Sequence, residues 1–241
     1  AVCGELVELF QHVLKKVGAP RALVQKLPRP INKADTETLM KTVDLVVATG
    51  SQSNIRSAYS SGTPAVGVGA GNVSVIVDET ADLNEAAQKI VASKIFDNAT
   101  SCSSENSVVA LASVYDDLVA ALESQGAKLL TAGEQEKLQQ LMWPDGKLNS
   151  GVIARPARQI AQMAEIDCRA APDVKVLLVQ ESQSGSAYPF SGEKLCPVLT
   201  LYRAEDFDGA LAQVAEIYAY QGAGHSVGIH TADDARAMQI A

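Results

Sequence analysis

The apolar and polar positions at the start of the chain predict a helix that is followed by a strand. Apolar side chains recur every three or four residues over 2–17, and the pattern stops at Gly18, ahead of Pro20. Residues 22–26 then have the pattern of a short strand. Since a β-α-β unit has a strand before its helix, we expect the chain to begin inside a larger fold.

Strand-like and helix-like segments alternate along the remainder of the chain. Aliphatic runs predict strands at 43–48, 73–78, 107–112, 174–179, 197–202 and 225–230. Helical spacing of apolar residues predicts helices at 54–60, 81–93, 114–125, 133–142, 156–163, 206–218 and 232–240. This alternation favours an α/β fold in which helices cover a parallel sheet. A second β-α-β domain is expected after residue 146, and the chain is expected to stop inside a helix.

Composition and charge narrow the class of protein. Apolar residues make up 47% of the chain, which predicts an aliphatic core sufficient for one large or two ordinary domains. The formal net charge is −8 and the basic residues are scattered, which argues against nucleic acid as a partner. No apolar stretch approaches the ~20 residues that cross a bilayer, and no charged leader precedes an apolar block. We therefore expect a cytoplasmic protein without a membrane partner.

The cysteines and histidines lack the spacing of a metal site or a disulfide scaffold. Cys3, Cys102, Cys168 and Cys196 are far apart, and the histidines form no short ligand motif. We expect reduced thiols and no bound metal. Apart from Cys102, the cysteines are expected to fill space in the core.

Cys102 lies in a polar turn between a predicted helix and a predicted strand. Its neighbours Ser101, Ser103 and Ser104 are small and polar, whereas a buried structural cysteine normally has apolar neighbours. A turn between two rigid elements is also where a nucleophile is held best. The residues themselves leave two interpretations open, a catalytic thiol and an inert free cysteine.

Two glycine-containing turns are candidates for close contact with a ligand. The strand 43–48 is followed by Gly50 and Ser51 and then by a helix, which is the geometry of a phosphate cradle. The three spaced glycines of the dinucleotide fingerprint are missing, so ordinary turn chemistry remains an alternative. Three alternating glycines over 67–71 indicate close approach of backbone or ligand.

Separated blocks of the chain resemble, in the same order, the CoA-acylating aldehyde dehydrogenases. The blocks are 48–51, 58–72, 78–82, 96–98 with Cys102, and 192–195 with 197–199. This family includes the aldehyde dehydrogenase half of bifunctional aldehyde-alcohol dehydrogenases, the acylating enzymes of ethanolamine and propanediol breakdown, and acylating succinate-semialdehyde and sulfoacetaldehyde dehydrogenases. Against this family the chain looks truncated at both ends.

The resemblance implies an aldehyde dehydrogenase fold with two domains. Residues 1–95 would form part of a parallel-sheet nucleotide-binding domain. Residues 96–241 would form an α/β catalytic domain that bears the thiol and is incomplete at its carboxyl end. A homo-oligomer is implied for the full-length protein, in the cytoplasm or inside a bacterial microcompartment.

The resemblance also implies a reaction and its residues. Cys102 would attack an aldehyde to give a thiohemiacetal, whose hydride passes to NAD or NADP; coenzyme A would then take the acyl group from the resulting thioester. The backbone N–H of Cys102 is a candidate oxyanion donor. The implied cofactor-binding residues are Gly50 and Ser51 near the pyrophosphate, Val68 and Gly69 near the nicotinamide, and Glu193 at the nicotinamide ribose.

One departure separates the acylating from the hydrolytic aldehyde dehydrogenases. The hydrolytic enzymes have a water-activating glutamate in a Glu-Leu-Gly-Gly motif, and the corresponding segment here is 67–71, which contains no carboxylate. Asp78 and Glu79 lie nearby in sequence, but we interpret them as carboxylates at a helix start. A CoA-independent dehydrogenase and a non-catalytic, assembly-forming relative remain the alternatives.

The substrate and one histidine remain open at this stage. The sequence around His225 resembles a Gly-His-Ser block of the acylating family, which could border the CoA or substrate channel. Alternatively, His225 could be hydrogen-bonded at the start of a strand. The arginines that could bind an anionic aldehyde are Arg56, Arg155, Arg158 and Arg203.

Overall fold

The computed structural model describes residues 2–50, 52–169, 171 and 173–240. It divides the chain into two compact units, of which the first ends at Val68 and the second begins at Gly69. No helix in these ranges is both long and apolar enough to span a bilayer.

The first unit contains three helices and a parallel pair of strands. Its elements are α1 (Val2–Lys16), a 3-10 turn (Arg21–Leu23), α2 (Lys33–Thr42), β1 (Val46–Thr49), α3 (Gln52–Tyr59) and β2 (Ala65–Val68). The predicted strand at 22–26 is wrong. Residues 21–23 form the 3-10 turn, and the Gln11 side chain ties Val24 to α1 by donating to its carbonyl oxygen at 2.8 Å.

The strand predicted at 43–48 is β1, but most of it is not buried within its unit. Val46 is 7% exposed, whereas Val47 is 72% exposed. The reason is that β1 pairs only with β2, and α3 packs on this two-stranded sheet, where Ile55 is buried.

The second unit is built on one parallel six-stranded sheet in the order β5-β6-β7-β4-β3-β8. Its strands are β3 (Val73–Val77), β4 (Glu105–Leu111), β5 (Ala127–Leu129), β6 (Val176–Gln180), β7 (Val198–Ala204) and β8 (Val227–His230). Its helices are α4 (Leu83–Ile95), α5 (Tyr115–Ser124), α6 (Ala132–Met142), α7 (Ala157–Met163), α8 (Phe207–Tyr220) and α9 (Asp234–Ile240).

Alternate side chains of the central strands enter different hydrophobic clusters. Leu178 of β6 packs with Ile90 of α4 and Leu122 of α5, whereas its neighbour Leu177 packs with Ile160 of α7. Since successive side chains of a strand point to opposite faces, helices cover both faces of the sheet. The predicted α/β fold with a helix-covered parallel sheet is thereby confirmed.

The compact units do not divide where the sequence predicted a domain boundary. The predicted boundary lay between residues 95 and 96. However, β3 and α4 belong to the second unit, because β3 is hydrogen-bonded between β4 and β8. A separate domain does not begin after residue 146, since β6 and β7 join the same sheet as β4. The roles assigned to 1–95 and 96–241 stay predictions.

The sequence suggested that Asp78 and Glu79 lie at a helix start, and this interpretation is wrong. The cap of α4 is Asp82, whose side chain accepts from the Glu85 N–H at 3.0 Å. Asp78 is fully buried at the carboxyl end of β3 and accepts hydrogen bonds from Thr231 at 2.6 Å, Thr80 at 2.7 Å and Arg236 at 2.9 Å. The two carboxylates thus hold α9 to the sheet through Arg236, which also pairs with Glu79.

We predict that Asp78→Asn destabilises the protein. Burial raises the pKa of Asp78, but hydrogen bonds from Thr231, Thr80 and Arg236 outweigh it and hold the pKa below 3.8. The ionised carboxylate therefore stabilises the fold above pH 3.8, and this contribution is lost as pH falls through the lower folded pKa. Urea unfolding at pH 7 should show a loss of about 2–3 kcal/mol, and this difference should shrink in acid.

The matched control is Glu85→Gln, which removes the exposed ion pair with Lys89. It should change the free energy of unfolding by less than about 0.5 kcal/mol. Equal stability of the Asp78→Asn variant and the wild type at pH 7 would refute this role for the buried carboxylate.

Candidate active site

Loops leading into neighbouring strands converge at one edge of the six-stranded sheet. The segments 69–72, 100–104, 189–197 and 221–226 precede β3, β4, β7 and β8, which are adjacent in the order β7-β4-β3-β8. Parallel strands all begin at the same edge, so residues distant in sequence meet there. Cys102, Glu193 and His225 each lie in one of these segments.

Cys102 is exposed in a turn whose backbone is strained. Three consecutive residues before it, Asp97, Asn98 and Ala99, have φ of 49°, 49° and 59°, the left-handed region that such residues rarely adopt. Thr100 stabilises the turn by donating to the Asp97 carbonyl oxygen at 2.7 Å. Strain of this kind is concentrated at functional sites, where the surrounding structure maintains it.

A β-bulge lies directly after the Cys102 turn. Val73 pairs with Glu105 and Ser74 pairs with Ser107, so Asn106 is the extra residue in β4. The Asn106 side chain accepts from the Lys194 N–H at 3.1 Å. The bulge therefore links the strand that follows Cys102 to the segment that carries Glu193.

Gly71 brings the backbone of its loop against Cys102. A Cβ atom at Gly71 would lie 2.8 Å from the Cys102 carbonyl oxygen, 3.4 Å from Cys102 Cβ and 3.3 Å from His225 Nε2. Any side chain larger than hydrogen would thus displace the turn. Cys102 and His225 are consequently both neighbours of Gly71.

Glu193 joins this cluster through the same glycine. The Gly71 N–H donates to the Glu193 carboxylate; burial raises the pKa of Glu193, while Gly71, Lys94 and Lys194 act in the opposite direction. The Glu193 N–H donates to the Gln221 side-chain oxygen at 3.0 Å, which fixes its backbone. A carboxyl group whose pKa is raised by burial is a candidate functional group.

The remaining predicted cofactor residues are divided between the units. Gly69 begins the second unit, two residues before Gly71. In the first unit, Gly50 follows β1 and Val68 ends β2, and Thr49 pairs with Val68. They lie together at the carboxyl ends of parallel strands, where nucleotides bind in α/β sheets. Ser51 lies outside the described residues.

Two other expectations from the sequence need correction. Cys196 is fully buried as predicted, but Cys3 is exposed in its unit and does not fill a core there. Arg203 is wrong as a substrate-binding candidate at Cys102. It lies near the carboxyl end of β7, pairs with Asp116 at 2.5 Å and stacks on the ring of Tyr115 at 4.4 Å.

The sequence did not reveal the buried lysines beneath this site. Lys94 and Lys194 are both fully buried. Lys94 ends a helix and Lys194 follows Glu193, positions at which a lysine is normally exposed to solvent. The close contact at Gly71 was predictable from the sequence, since alternating glycines in a strand-like segment indicate close approach of the backbone.

An exposed turn thiol close to an imidazole and a partly buried carboxylate is the arrangement expected of a nucleophilic cysteine on a parallel α/β fold. The chain belongs to the aldehyde dehydrogenase family, whose model, described as "Aldehyde dehydrogenase family", matches residues 5–144.

Individual relatives refine this assignment. The chain is 51% identical over 238 residues to the acylating sulfoacetaldehyde dehydrogenase of Cupriavidus necator, covering 99% of this chain and 48% of that protein. It superimposes with a TM-score of 0.93 and 36% identity on an acetylating aldehyde dehydrogenase from Geobacillus thermoglucosidasius, covering 98% of this chain and 52% of the other. A Rhodopseudomonas palustris propionaldehyde dehydrogenase with bound propionyl-CoA gives a TM-score of 0.85 at 29% identity, covering 96% and 51%.

These comparisons confirm the resemblance to acylating aldehyde dehydrogenases that the sequence blocks indicated. The chain spans about half the length of the curated relatives it matches. The activity of the full-length protein is therefore treated below as a proposal.

We predict that Gly71→Ala in the full-length protein lowers turnover by about 10²-fold, because the new Cβ forces the Cys102 turn to move. The matched control is Gly133→Ala, where a Cβ meets nothing within 4 Å. The readouts are turnover and the rate of Cys102 alkylation by iodoacetamide, followed by mass spectrometry. Unchanged turnover and alkylation in a folded Gly71→Ala variant would contradict this geometry.

Proposed function

We propose that the full-length protein oxidises an aldehyde to its acyl-CoA with reduction of NAD or NADP. The observation that carries this proposal is the cluster at Gly71, which joins an exposed thiol, an imidazole and a cofactor-type carboxylate. The identity to an acylating dehydrogenase supports it further.

Cys102 is the proposed nucleophile. Its sulfur adds to the aldehyde carbonyl carbon, and the resulting oxyanion is stabilised by a backbone N–H of the turn. His225, whose Nε2 approaches Gly71, is the proposed acceptor of the thiol proton. A bound nicotinamide cofactor supplies the hydride acceptor, and loss of the hydride leaves a thioester on Cys102. The CoA sulfur then attacks the thioester carbonyl, and the Cys102 thiolate leaves.

Each unit, considered by itself, contains residues that we propose as cofactor ligands. In the second unit, Glu193 has a carboxylate suited to accept hydrogen bonds from the ribose hydroxyls, and Gly69 leaves room for the nicotinamide. In the first unit, Gly50 has φ of +110° at a strand-to-helix turn, and Val68 lies on the neighbouring strand. Such turns accept pyrophosphate through their backbone N–H groups. Ser51 is proposed with them on the basis of the resemblance.

The positions of two carboxylates favour the acylating reaction over hydrolysis. Asp78 and Glu79, the nearest carboxylates in sequence to the missing glutamate, are engaged by Arg236 at the opposite edge of the sheet from Cys102. They are therefore unavailable to activate water at the thioester. Without a positioned base, water attack is slower by about 10²–10⁴-fold, and a thiol can compete.

Glu193 gives the hydrolytic alternative its specific support. Its carboxylate lies in the Gly71 cluster, and burial raises its pKa, as expected of a general base. If Glu193 activated water, the protein would be a CoA-independent dehydrogenase.

The proposed substrate is a small anionic aldehyde, with sulfoacetaldehyde as the first candidate. The Cupriavidus necator relative is named for that aldehyde. Near the thiol, the hydroxyl groups of Ser101 and Ser103 lie 2.9 Å apart and supply polar contacts. The homo-oligomeric state and the cytoplasmic or microcompartment location stay predictions.

We predict that NADH or NADPH formation by the full-length protein requires CoA after the first turnover. An aldehyde panel that includes sulfoacetaldehyde, succinate semialdehyde and acetaldehyde, assayed with and without CoA, measures this. Without CoA, one equivalent of reduced cofactor per active site is expected, because the thioester accumulates. Sustained turnover without CoA would establish the hydrolytic alternative, and its loss in Glu193→Gln would identify the base.

We predict that Cys102→Ser lowers turnover by at least about 10³-fold, because a serine hydroxyl without further activation is a far weaker nucleophile. Dinucleotide affinity should change by less than about threefold, because the thiol forms no contact that binding requires. The control is Cys168→Ser, which should keep wild-type turnover. Retained turnover in Cys102→Ser would refute the role of Cys102 as nucleophile, whereas a wild type without turnover would favour the non-catalytic, assembly-forming interpretation.

A further inference from the structure

Lys94 is a buried cation with an unusual environment. It lies in the last turn of α4, is fully buried, and its Nζ has no hydrogen-bond partner in the part of the chain that the structure describes. Burying an ammonium without a partner is expensive, and replacement by an apolar side chain would normally stabilise a core. Burial lowers the pKa of Lys94 to about 8.

The groups facing Lys94 include the proposed cofactor ligand. Cys196, Glu105 and Glu193 interact electrostatically with its ammonium and favour its charged form. A second buried cation, Lys194, is close enough for mutual repulsion, and it also faces Glu181. The two lysines differ in one respect, since Lys194 Nζ donates to the carbonyl oxygens of 190 and 192 at 2.6 and 2.9 Å. Lys94, whose ammonium has no such carbonyl partner among the described residues, is therefore the lysine that is available to attract the carboxylates.

The backbone next to Lys94 is tied to the Cys102 turn, which is linked in turn to the segment that carries Glu193. The Ser104 hydroxyl, at the end of the Cys102 turn, donates to the carbonyl oxygen of Ser93 at 3.3 Å. The Lys194 N–H donates to Asn106 at 3.1 Å, immediately beyond the same turn. The end of α4 is thus tied to the Cys102 turn, and the segment that carries Glu193 is tied to β4 just after that turn.

We propose that Lys94 is a positioning residue, whose buried ammonium keeps the Glu193 carboxylate ionised and directed toward the Gly71 N–H, and so sets the pH range in which the dinucleotide binds. This inference rests on the proposed function, because it takes Glu193 as the ligand of the cofactor ribose. The alternative is that Lys94 serves only to stabilise the core.

Two pH effects follow from the signs of the charges. In acid, protonation of Glu193 weakens dinucleotide binding, and without Lys94 this loss begins at higher pH because the ammonium favours the carboxylate. In alkali, Lys94 loses its proton near pH 8, and binding weakens again as the attraction disappears. A structural lysine would produce neither effect on binding.

The test measures NAD affinity by calorimetry from pH 5 to 9.5 in the full-length protein, in a Cys102→Ser background that removes the reactive thiol. Lys94→Met should move the acid limb, which is the fall in affinity at low pH, to higher pH. Binding on that limb should weaken about tenfold, because the charge-assisted hydrogen bond between the ribose and Glu193 is lost there. Lys94→Arg, which stays charged, should keep the acid limb and lose the alkaline one. The matched control is Lys128→Met, which removes a largely buried ion pair between Lys128 on β5 and Glu134 on α6 and should leave both limbs in place.

The outcomes separate this inference from the proposed function. A folded Lys94→Met variant with an unchanged acid limb would overturn the inference. If Lys94→Met does not fold, the wild type and Lys94→Arg decide. An NAD affinity that does not change above pH 8 in either protein would overturn the inference equally. The Glu193→Gln variant tests the assumption on which the inference rests, namely that Glu193 binds the cofactor ribose. If that variant binds NAD as the wild type does, with the same acid limb, the cofactor role of Glu193 fails instead.

Discussion

The parallel pairing of β3 with β4 determines where the residues of the candidate site lie. It brings the loop before β3 next to the turn before β4, so that Gly71 lies against Cys102 without room for a side chain. The same glycine donates its N–H to Glu193 and approaches His225. The single extra residue at Asn106 then links β4 to the segment before β7. A shift of this register by one residue would move Gly71 away from its position against Cys102.

The two edges of the sheet have opposite chemical character. At the carboxyl edge, Asp78, Glu79 and Arg236 form a satisfied ion-pair cluster that holds α9 to β3. At the amino edge, strained backbone precedes Cys102 and the Lys94 ammonium is buried without a hydrogen-bond partner among the described residues. Both features cost free energy that the hydrophobic clusters on the two faces offset. Concentrating unfavourable features at one edge is what a catalytic site on a stable scaffold requires.

The sequence predicted most elements but erred where short segments depend on their neighbours. The fifth strand, Ala127–Leu129, has only three residues and no pattern that distinguishes it from a loop; β6 makes it a strand by pairing with it. Residues 22–26 had a strand-like pattern and no strand beside them, so they form a turn and an irregular segment. The helix predicted at 81–93 extends to Ile95, which places Lys94 in its last turn and inside the core.

The sequence by itself determined the α/β class, the polar turn around Cys102, and the family, because local periodicity, turn composition and ordered motifs are properties of short segments. It also identified Glu193, through the resemblance alone. Only the tertiary structure decided that the strands on both sides of residue 146 form one sheet, that Gly71 joins Cys102, Glu193 and His225, and that Lys94 is buried behind them. These relations join residues up to about 150 positions apart, and such contacts arise from strand order and register, which no local pattern specifies.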